Sequence, residues 1–126
     1  MLQKVAFTMY PVKDMARART FYGETLGLGP SNSGASSPWV EFDLPGGGCL
    51  AITTVTPNDP SASAGGTIAF EVDDLPATTA ELKAKGVTFA AEGIESPVCR
   101  MAIIKDPDGN GIILHKLKSA EERAQQ

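Results

Sequence analysis

Short runs of alternating hydrophobic and polar residues follow one another along this chain, and the order of the runs occurs twice. The run 39–44 alternates with a period of two, which predicts a strand with one covered face. Apolar residues recur at helical spacing between Met15 and Leu26, which predicts an amphipathic helix. Both patterns return after an interval of about 60 residues. The sequence therefore predicts two modules, each with the element order β-α-β-β-β.

Capping and turn residues mark the ends of the predicted elements. Asp14 and Asp74 stand before the two helical patterns as N-caps, and Gly27 and Gly86 follow them as C-terminal stops. The predicted strands are 5–10, 39–44, 49–55, 67–72, 87–91, 98–105 and 111–117, with a further strand considered near 28–33, and the predicted helices are 15–26 and 75–85.

The predicted domain organisation is a single domain of residues 1–126 in the α+β class. A stretch rich in Pro, Gly and polar residues, 56–66, is predicted to link a first module of about 1–56 to a second of about 66–118. The polar tail 119–126 is predicted to fray.

Composition narrows the classes of partner. The net charge is −4 and Lys and Arg form no cluster, so nucleic acid is not an expected partner. No run is apolar over the length of a membrane span, and the first residues do not resemble a signal peptide. The two cysteines, Cys49 and Cys99, form no CxxC motif and are expected to be reduced thiols in a cytoplasmic protein.

Several short motifs, in order and over nearly the whole chain, resemble the vicinal oxygen chelate superfamily of glyoxalase I, extradiol dioxygenases and bleomycin-resistance proteins. The matching segments are Val12-Lys13-Asp14-Met15, Phe21-Tyr22, Leu26-Gly27-Leu28, Ala69-Phe70-Glu71-Val72-Asp73-Asp74-Leu75 and Asp106-Pro107-Asp108-Gly109-Asn110. The resemblance implies paired βαβββ modules whose mixed β-sheets form an open, cup-shaped half-barrel with the helices outside. It also implies a homodimer.

Metal enzymes of this superfamily carry one ligand on the first strand and one on the fourth strand of each module. In this chain the matching positions are Phe7 and Ala51 in the first module and Thr67 and Ile113 in the second. Divalent metals require several N, O or S donors at short range, and this set offers one hydroxyl. We therefore expect a member that lacks the metal ligands, with no metal and no cofactor.

Side chains in phase with those four positions share the concave face of each predicted sheet, because side chains alternate along a strand. The residues predicted to bind a ligand there are Phe7, Met9, Trp39, Glu41, Ala51, Thr53, Thr67, Ala69, Met101, Ile103, Ile113 and His115. Cys49, Asp43, Glu71 and Lys105 share the same phase. The opposite phase is almost wholly apolar and suits a surface packed under helices.

The chemistry of these residues leaves alternatives open. His115, the one histidine, either lies near the exposed end of the last strand or is an acid or base in a pocket, with Glu41 as its partner or as an anchor for the substrate. Glu41 is otherwise a solvated residue, and the aromatic residues are otherwise packing at a subunit contact. Cys99, beside Arg100, is either an inert or an activated thiol.

Three functions fit these observations. The first is a small-molecule-binding protein with a metal-free apolar cup and an unknown organic ligand. The second is an enzyme of the superfamily, a glyoxalase- or dioxygenase-like lyase, isomerase or oxygenase, that uses His115 and Glu41 or a relocated metal. The third is an interaction module with an empty cup.

Overall fold

The secondary structure confirms the predicted α+β class. The computed structural model describes residues 1, 3, 5–31, 33–34, 36–56 and 58–125. Its elements are β1 (Thr8–Pro11), α1 (Met15–Arg19) continued by a π-helical segment (Thr20–Thr25), β2 (Trp39–Asp43), β3 (Cys49–Thr53), β4 (Ile68–Glu71), α2 (Leu75–Ala84), β5 (Thr88–Glu95), β6 (Cys99–Lys105), β7 (Gly111–Leu117) and α3 (Ala120–Ala124). Within the described residues, none of the helices has the length and apolar character needed to cross a bilayer.

Contacts within the chain define two compact units. The first comprises residues 1–61 together with 107–110, and the second comprises 62–106 together with 111–126. The division after Ser61 lies inside the predicted linker 56–66. The single domain and the module bounds given above stay predictions.

The sheet of the first unit has the strand order β1-β3-β2, with β1 parallel and β2 antiparallel to β3. The sequence predicts a first strand that stops before Pro11, but Pro11 belongs to β1 as its last residue and pairs with Thr53. It fits because β1 pairs with β3 alone, so the missing N–H of proline faces away from the ladder. Asp14 caps α1 as predicted, since its side chain accepts a hydrogen bond from the Arg17 N–H at 3.0 Å.

The predicted first helix changes to π-helical geometry after Arg19, and this change accounts for the strand missing near 28–33. The N–H groups of Leu28 and Gly29 donate to the carbonyls of Tyr22 and Gly23 at 3.1 and 3.0 Å, so they are unavailable to a sheet. A Cβ at Gly23 would lie 3.0 Å from the Gly29 carbonyl oxygen, so a larger residue there would force the returning chain to shift. No strand forms in the described residues of 28–33, and Asn32 lies outside them.

The sheet of the second unit has the strand order β4-β7-β6-β5 and matches the predicted β-α-β-β-β module. Asp74 caps α2 by accepting a hydrogen bond from the Ala77 N–H at 2.9 Å. β5 is longer than predicted and reaches Glu95, because two register irregularities let it follow β6 past Ala91.

The C-terminal tail is ordered into α3, so the prediction that it frays was wrong. Ser119 and Glu122 form a capping box, in which each side chain accepts a hydrogen bond from the backbone N–H of the other. The Glu122 carboxylate also pairs with the Arg100 guanidinium at 2.8 Å. The Ser-x-x-Glu spacing of a capping box is present in the sequence, and it outweighs the polar composition that predicted fraying.

Most of the predicted apolar phase is buried in each sheet, although Ile68 and Phe70 of β4 are only half-buried. In the first unit the strand residues Val40, Phe42, Leu50 and Ile52 are almost fully inaccessible, and the Phe42 ring lies 6.4 Å from the ring of Tyr22 in the π-helical segment. In the second unit the buried residues are Leu82 of α2 with Ala102, Ile104, Ile112 and Leu114 of β6 and β7. Burial of this phase leaves the opposite phase of each sheet to carry function.

Candidate functional site

The strand register of the first unit brings most of its predicted ligand-binding residues onto one face. Met9 and Glu41 both pair with Ala51, and Trp39 pairs with Thr53. Directly paired residues project to the same side of a sheet, so this face carries Met9, Trp39 and Glu41 together. The shared phase predicted from the sequence is confirmed for these strands.

An aromatic–carboxylate cluster of Phe7, Trp39, Glu41 and Cys49 occupies this face. The Trp39 indole N–H donates to one Glu41 oxygen at 2.7 Å, and the Cys49 thiol donates to the other at 3.7 Å. The Phe7 ring meets the Trp39 ring edge to face, with 5.3 Å between centroids. The indole and the carboxylate are therefore held in fixed relative positions at an exposed surface, because Phe7 is 45% and Glu41 more than one-third accessible.

Two predicted ligand contacts of the first unit are covered. Ala51 and Thr53 have no accessible surface. Thr53 has a structural role, because its hydroxyl donates to the Pro38 carbonyl at 2.9 Å and accepts from the Val55 N–H at 3.0 Å. In this conformation a ligand on the face contacts neither residue, so their predicted binding role would require neighbouring side chains to move.

The thiol of Cys49 is held in its protonated form. Burial raises the pKa of Cys49 above its ordinary value, and the negative charges of Glu41 and Asp43 raise it further. Cys99 is buried, with its sulfur 3.1 Å from the Ser96 hydroxyl oxygen. Neither thiol forms a disulfide, and this environment favours the inert interpretation of both.

We predict that Glu41→Gln speeds the alkylation of Cys49 by iodoacetamide about two- to tenfold at pH 7.5, because removing one negative charge lowers the thiol pKa and raises the thiolate fraction. Peptide mass mapping separates Cys49 from Cys99. Glu81→Gln on α2 is the matched control, since it removes the same charge from an exposed position of the other unit. Equal rates in wild type and Glu41→Gln would contradict the cluster geometry.

The second unit presents its predicted residues in two rows. Ala69, Ile113 and Ile103 are paired across β4, β7 and β6, and Glu71, His115 and Met101 form the next row. Ile103, Ile113, Met101 and His115 are half-buried and Ala69 is exposed. Thr67 is exposed and precedes β4, which begins one residue later than predicted.

The carboxylate that contacts His115 is Glu71, whereas the sequence analysis considered Glu41 for that role. The Nδ1 atom of His115 lies 2.5 Å from a Glu71 oxygen, and the Leu117 N–H donates to the other oxygen at 2.8 Å. Glu41 is instead bonded to Trp39 and Cys49 in the first unit. The Leu117 N–H and then the His115 ring hold the pKa of Glu71 below its ordinary value.

Each unit also contains a cavity on its other surfaces. One of about 430 Å³ in the first unit is bordered by Arg19, Gly23, Glu24, Ser31 and Phe42. One of about 550 Å³ in the second unit lies between the start of α2 and β5, with Arg100 and Met101 in its wall. Of the described residues that border these two cavities, Met101 alone is a predicted ligand-binding residue. Apart from Met101, the predicted residues therefore do not border these two cavities.

The inherited metal positions do not fit a metal. Phe7, Ala51 and Ile113 carry hydrocarbon side chains, and Thr67 alone of the four offers an oxygen. Within the described ranges, no three His, Cys, Asp or Glu side chains are grouped so that they could hold an ion. No step of a mechanism is therefore derived through a metal at these positions.

Comparison with known proteins finds relatives by family model, by structure and by sequence. A family model described as Glyoxalase/Bleomycin resistance protein/Dioxygenase superfamily matches residues 4–114. The structure is similar to that of TnmS3, an antibiotic-binding protein from Streptomyces sp. CB03234, with 30% identity, a TM-score of 0.77, and coverage of 93% of this chain and 98% of that one. A glyoxalase/bleomycin resistance protein from the same organism is 32% identical, with a TM-score of 0.71 and coverage of 88% and 98%.

A curated relative is the anthracycline biosynthesis protein DauV of Streptomyces sp. (strain C5), which is 31% identical over 111 residues. The match covers 85% of this chain but 39% of that protein, so this chain spans well under half of its relative. The family match, by contrast, extends over most of the chain. The chain therefore belongs to the glyoxalase/bleomycin resistance protein/dioxygenase superfamily.

Proposed function

We propose that this chain binds a small aromatic organic molecule on the open face of its first sheet, without a metal. The observation that carries the proposal is the aromatic–carboxylate cluster, in which Trp39 and Phe7 offer ring surface beside the fixed carboxylate of Glu41. Ring surface next to one oriented polar group is the usual composition of a site for an organic ligand.

The relatives support an antibiotic-like ligand. One structural relative is named as antibiotic-binding, and a curated relative is named for anthracycline biosynthesis. The chain itself is only mildly acidic, with a net charge of −4. This charge is too small to single out a bulky, strongly cationic drug such as bleomycin. The rings of Trp39 and Phe7 suit a planar aromatic molecule.

The proposal is tested by calorimetric titration of protein that has been dialysed against EDTA. Elemental analysis of a sample dialysed extensively without EDTA is expected to find far less than one equivalent of zinc, nickel, manganese or iron, because the inherited positions lack donors. The anthracycline doxorubicin is expected to bind, and bleomycin to bind at least about tenfold more weakly. A full equivalent of retained metal, or no heat with doxorubicin, would overturn the proposal.

The other expectations stay predictions. The contact with Glu71 supports the enzyme alternative, in which His115 is an acid or base. Glu41, the partner expected for His115, is instead hydrogen-bonded to Trp39. The homodimer expected from the resemblance, and contacts of a ligand with Met9, Thr67, Ala69, Met101, Ile103 and Ile113, also stay predictions.

A further inference from the structure

The Glu71–His115 pair holds the histidine ring in one orientation. The Glu71 carboxylate is fixed by the backbone N–H of Leu117 at 2.8 Å, and its second oxygen is 2.5 Å from the His115 Nδ1 atom. A main-chain donor cannot change its role, so the position of the carboxylate is set by the sheet itself. The ring is thereby oriented by a group on a strand 44 residues away in sequence.

This orientation determines which ring nitrogen carries the proton. Glu71 is a carboxylate at neutral pH, since its hydrogen bonds favour the charged form. A carboxylate only accepts hydrogen bonds, so Nδ1 of the neutral ring must be the donor and Nε2 keeps its lone pair. Among the described residues none hydrogen-bonds Nε2, and 28% of the side chain is exposed.

The surroundings of the ring on this face are apolar. Met101 is the direct cross-strand neighbour of His115, and Ile113 precedes it in the same phase of β7. On the far side of Met101, Ile94 of β5 pairs with it and continues the same row. An oriented acceptor beside hydrocarbon side chains suits a ligand whose polar group is attached directly to an apolar body.

We propose that His115, oriented by Glu71, accepts a hydrogen bond from an acidic hydroxyl group, a phenol or an enol, on a planar aromatic ligand. A phenolic hydroxyl is a stronger donor than an alcohol, and its ring supplies the apolar body that the neighbouring side chains accommodate. Glu71 is a positioning residue in this account, since it acts through the ring. This site lies on the sheet of the second unit and is additional to the one proposed on the first sheet, so the inference goes beyond the proposed function.

The test compares 2-hydroxyanthraquinone with 2-methoxyanthraquinone, in which a methyl group replaces the hydroxyl hydrogen and removes the donor. In calorimetric titrations the wild type is expected to prefer the hydroxyl probe about two- to tenfold. His115→Phe keeps an aromatic ring but has no acceptor, so the preference is expected to vanish. Glu71→Gln is expected to abolish it too. Its single oxygen must face the Leu117 N–H, which turns the amide N–H toward Nδ1 and places the ring proton on Nε2.

The controls separate this inference from the proposed function. Glu81→Gln removes an exposed carboxylate of α2 and should keep the wild-type preference. Nitrogen-15 NMR of the free protein, recorded at a pH at which the ring is neutral, should find the ring proton on Nδ1 in wild type and on Nε2 in Glu71→Gln, a readout that requires no ligand. Equal binding of both probes, a preference that survives in His115→Phe, or binding of neither probe would overturn the inference. Failure of doxorubicin to bind the wild type would overturn the proposed function, whereas the preference between the two anthraquinone probes tests the role of His115.

Discussion

Replacing Trp39 by alanine is expected to weaken doxorubicin binding by about 10- to 100-fold, measured by calorimetry. The substitution removes the larger ring of the aromatic–carboxylate cluster and also the indole N–H that orients Glu41 at 2.7 Å. Trp39→Phe keeps a ring but lacks the N–H, so its affinity should fall between those of wild type and Trp39→Ala.

Phe89→Ala is the matched control for this loss. It removes an aromatic ring from β5 of the other unit, where the ring lies 5.5 Å from the Lys83 ammonium. Its affinity for doxorubicin should stay within about twofold of wild type. If Trp39→Ala binds as tightly as this control, the first sheet is not the ligand site.

Replacing Asn110 by alanine is expected to lower the free energy of unfolding by about 2–4 kcal/mol, in urea denaturation followed by circular dichroism. The side chain is 2% exposed. Its amide donates to the Pro11 carbonyl at 2.8 Å and accepts from the Ser61 N–H at 3.0 Å, so alanine leaves both backbone groups without this partner.

Asn58→Ala is the control for this change, because Asn58 is exposed and undergoes the same chemical substitution. Its effect should be within about 0.5 kcal/mol of zero. Similar stabilities of the two variants would contradict the structural role assigned to Asn110. The comparison also tests a structural role of the Asp-Pro-Asp-Gly-Asn turn, whose Asn110 side chain joins Pro11 and Ser61 of the first unit.

Local chemistry explains which parts of the fold could be predicted. Asp14 and Asp74 were identified as caps because the capping hydrogen bond joins residues three apart in sequence. The last strand, Gly111–Leu117, was predicted to the residue, since the turn before it is marked by Pro and Gly. The π-helical segment was not predictable, because it depends on the approach of Gly29 to Gly23.

The candidate site was predictable in phase but not in contacts. The alternation of side chains along a strand predicts open-face positions for Trp39 and Glu41 in the first sheet and for Glu71 and His115 in the second. This prediction does not require the strand register. The bond between Glu71 and His115 depends on the parallel register of β4 and β7, which the sequence alone does not fix. The burial of Thr53 depends on the Pro38 carbonyl, which periodicity cannot reveal.

Chemical-shift mapping by NMR tests the central claim, that an aromatic ligand binds the open face of the first sheet without a metal, most directly. Doxorubicin is titrated into EDTA-treated protein labelled at the indole nitrogen and at Met, Leu and Ile methyl groups. The account predicts the largest shifts at the Trp39 indole and the Met9 methyl, with small shifts at the helix-covered Leu50 and Ile52. Largest shifts at Leu50 and Ile52, or no shifts until a divalent metal is added, would contradict it.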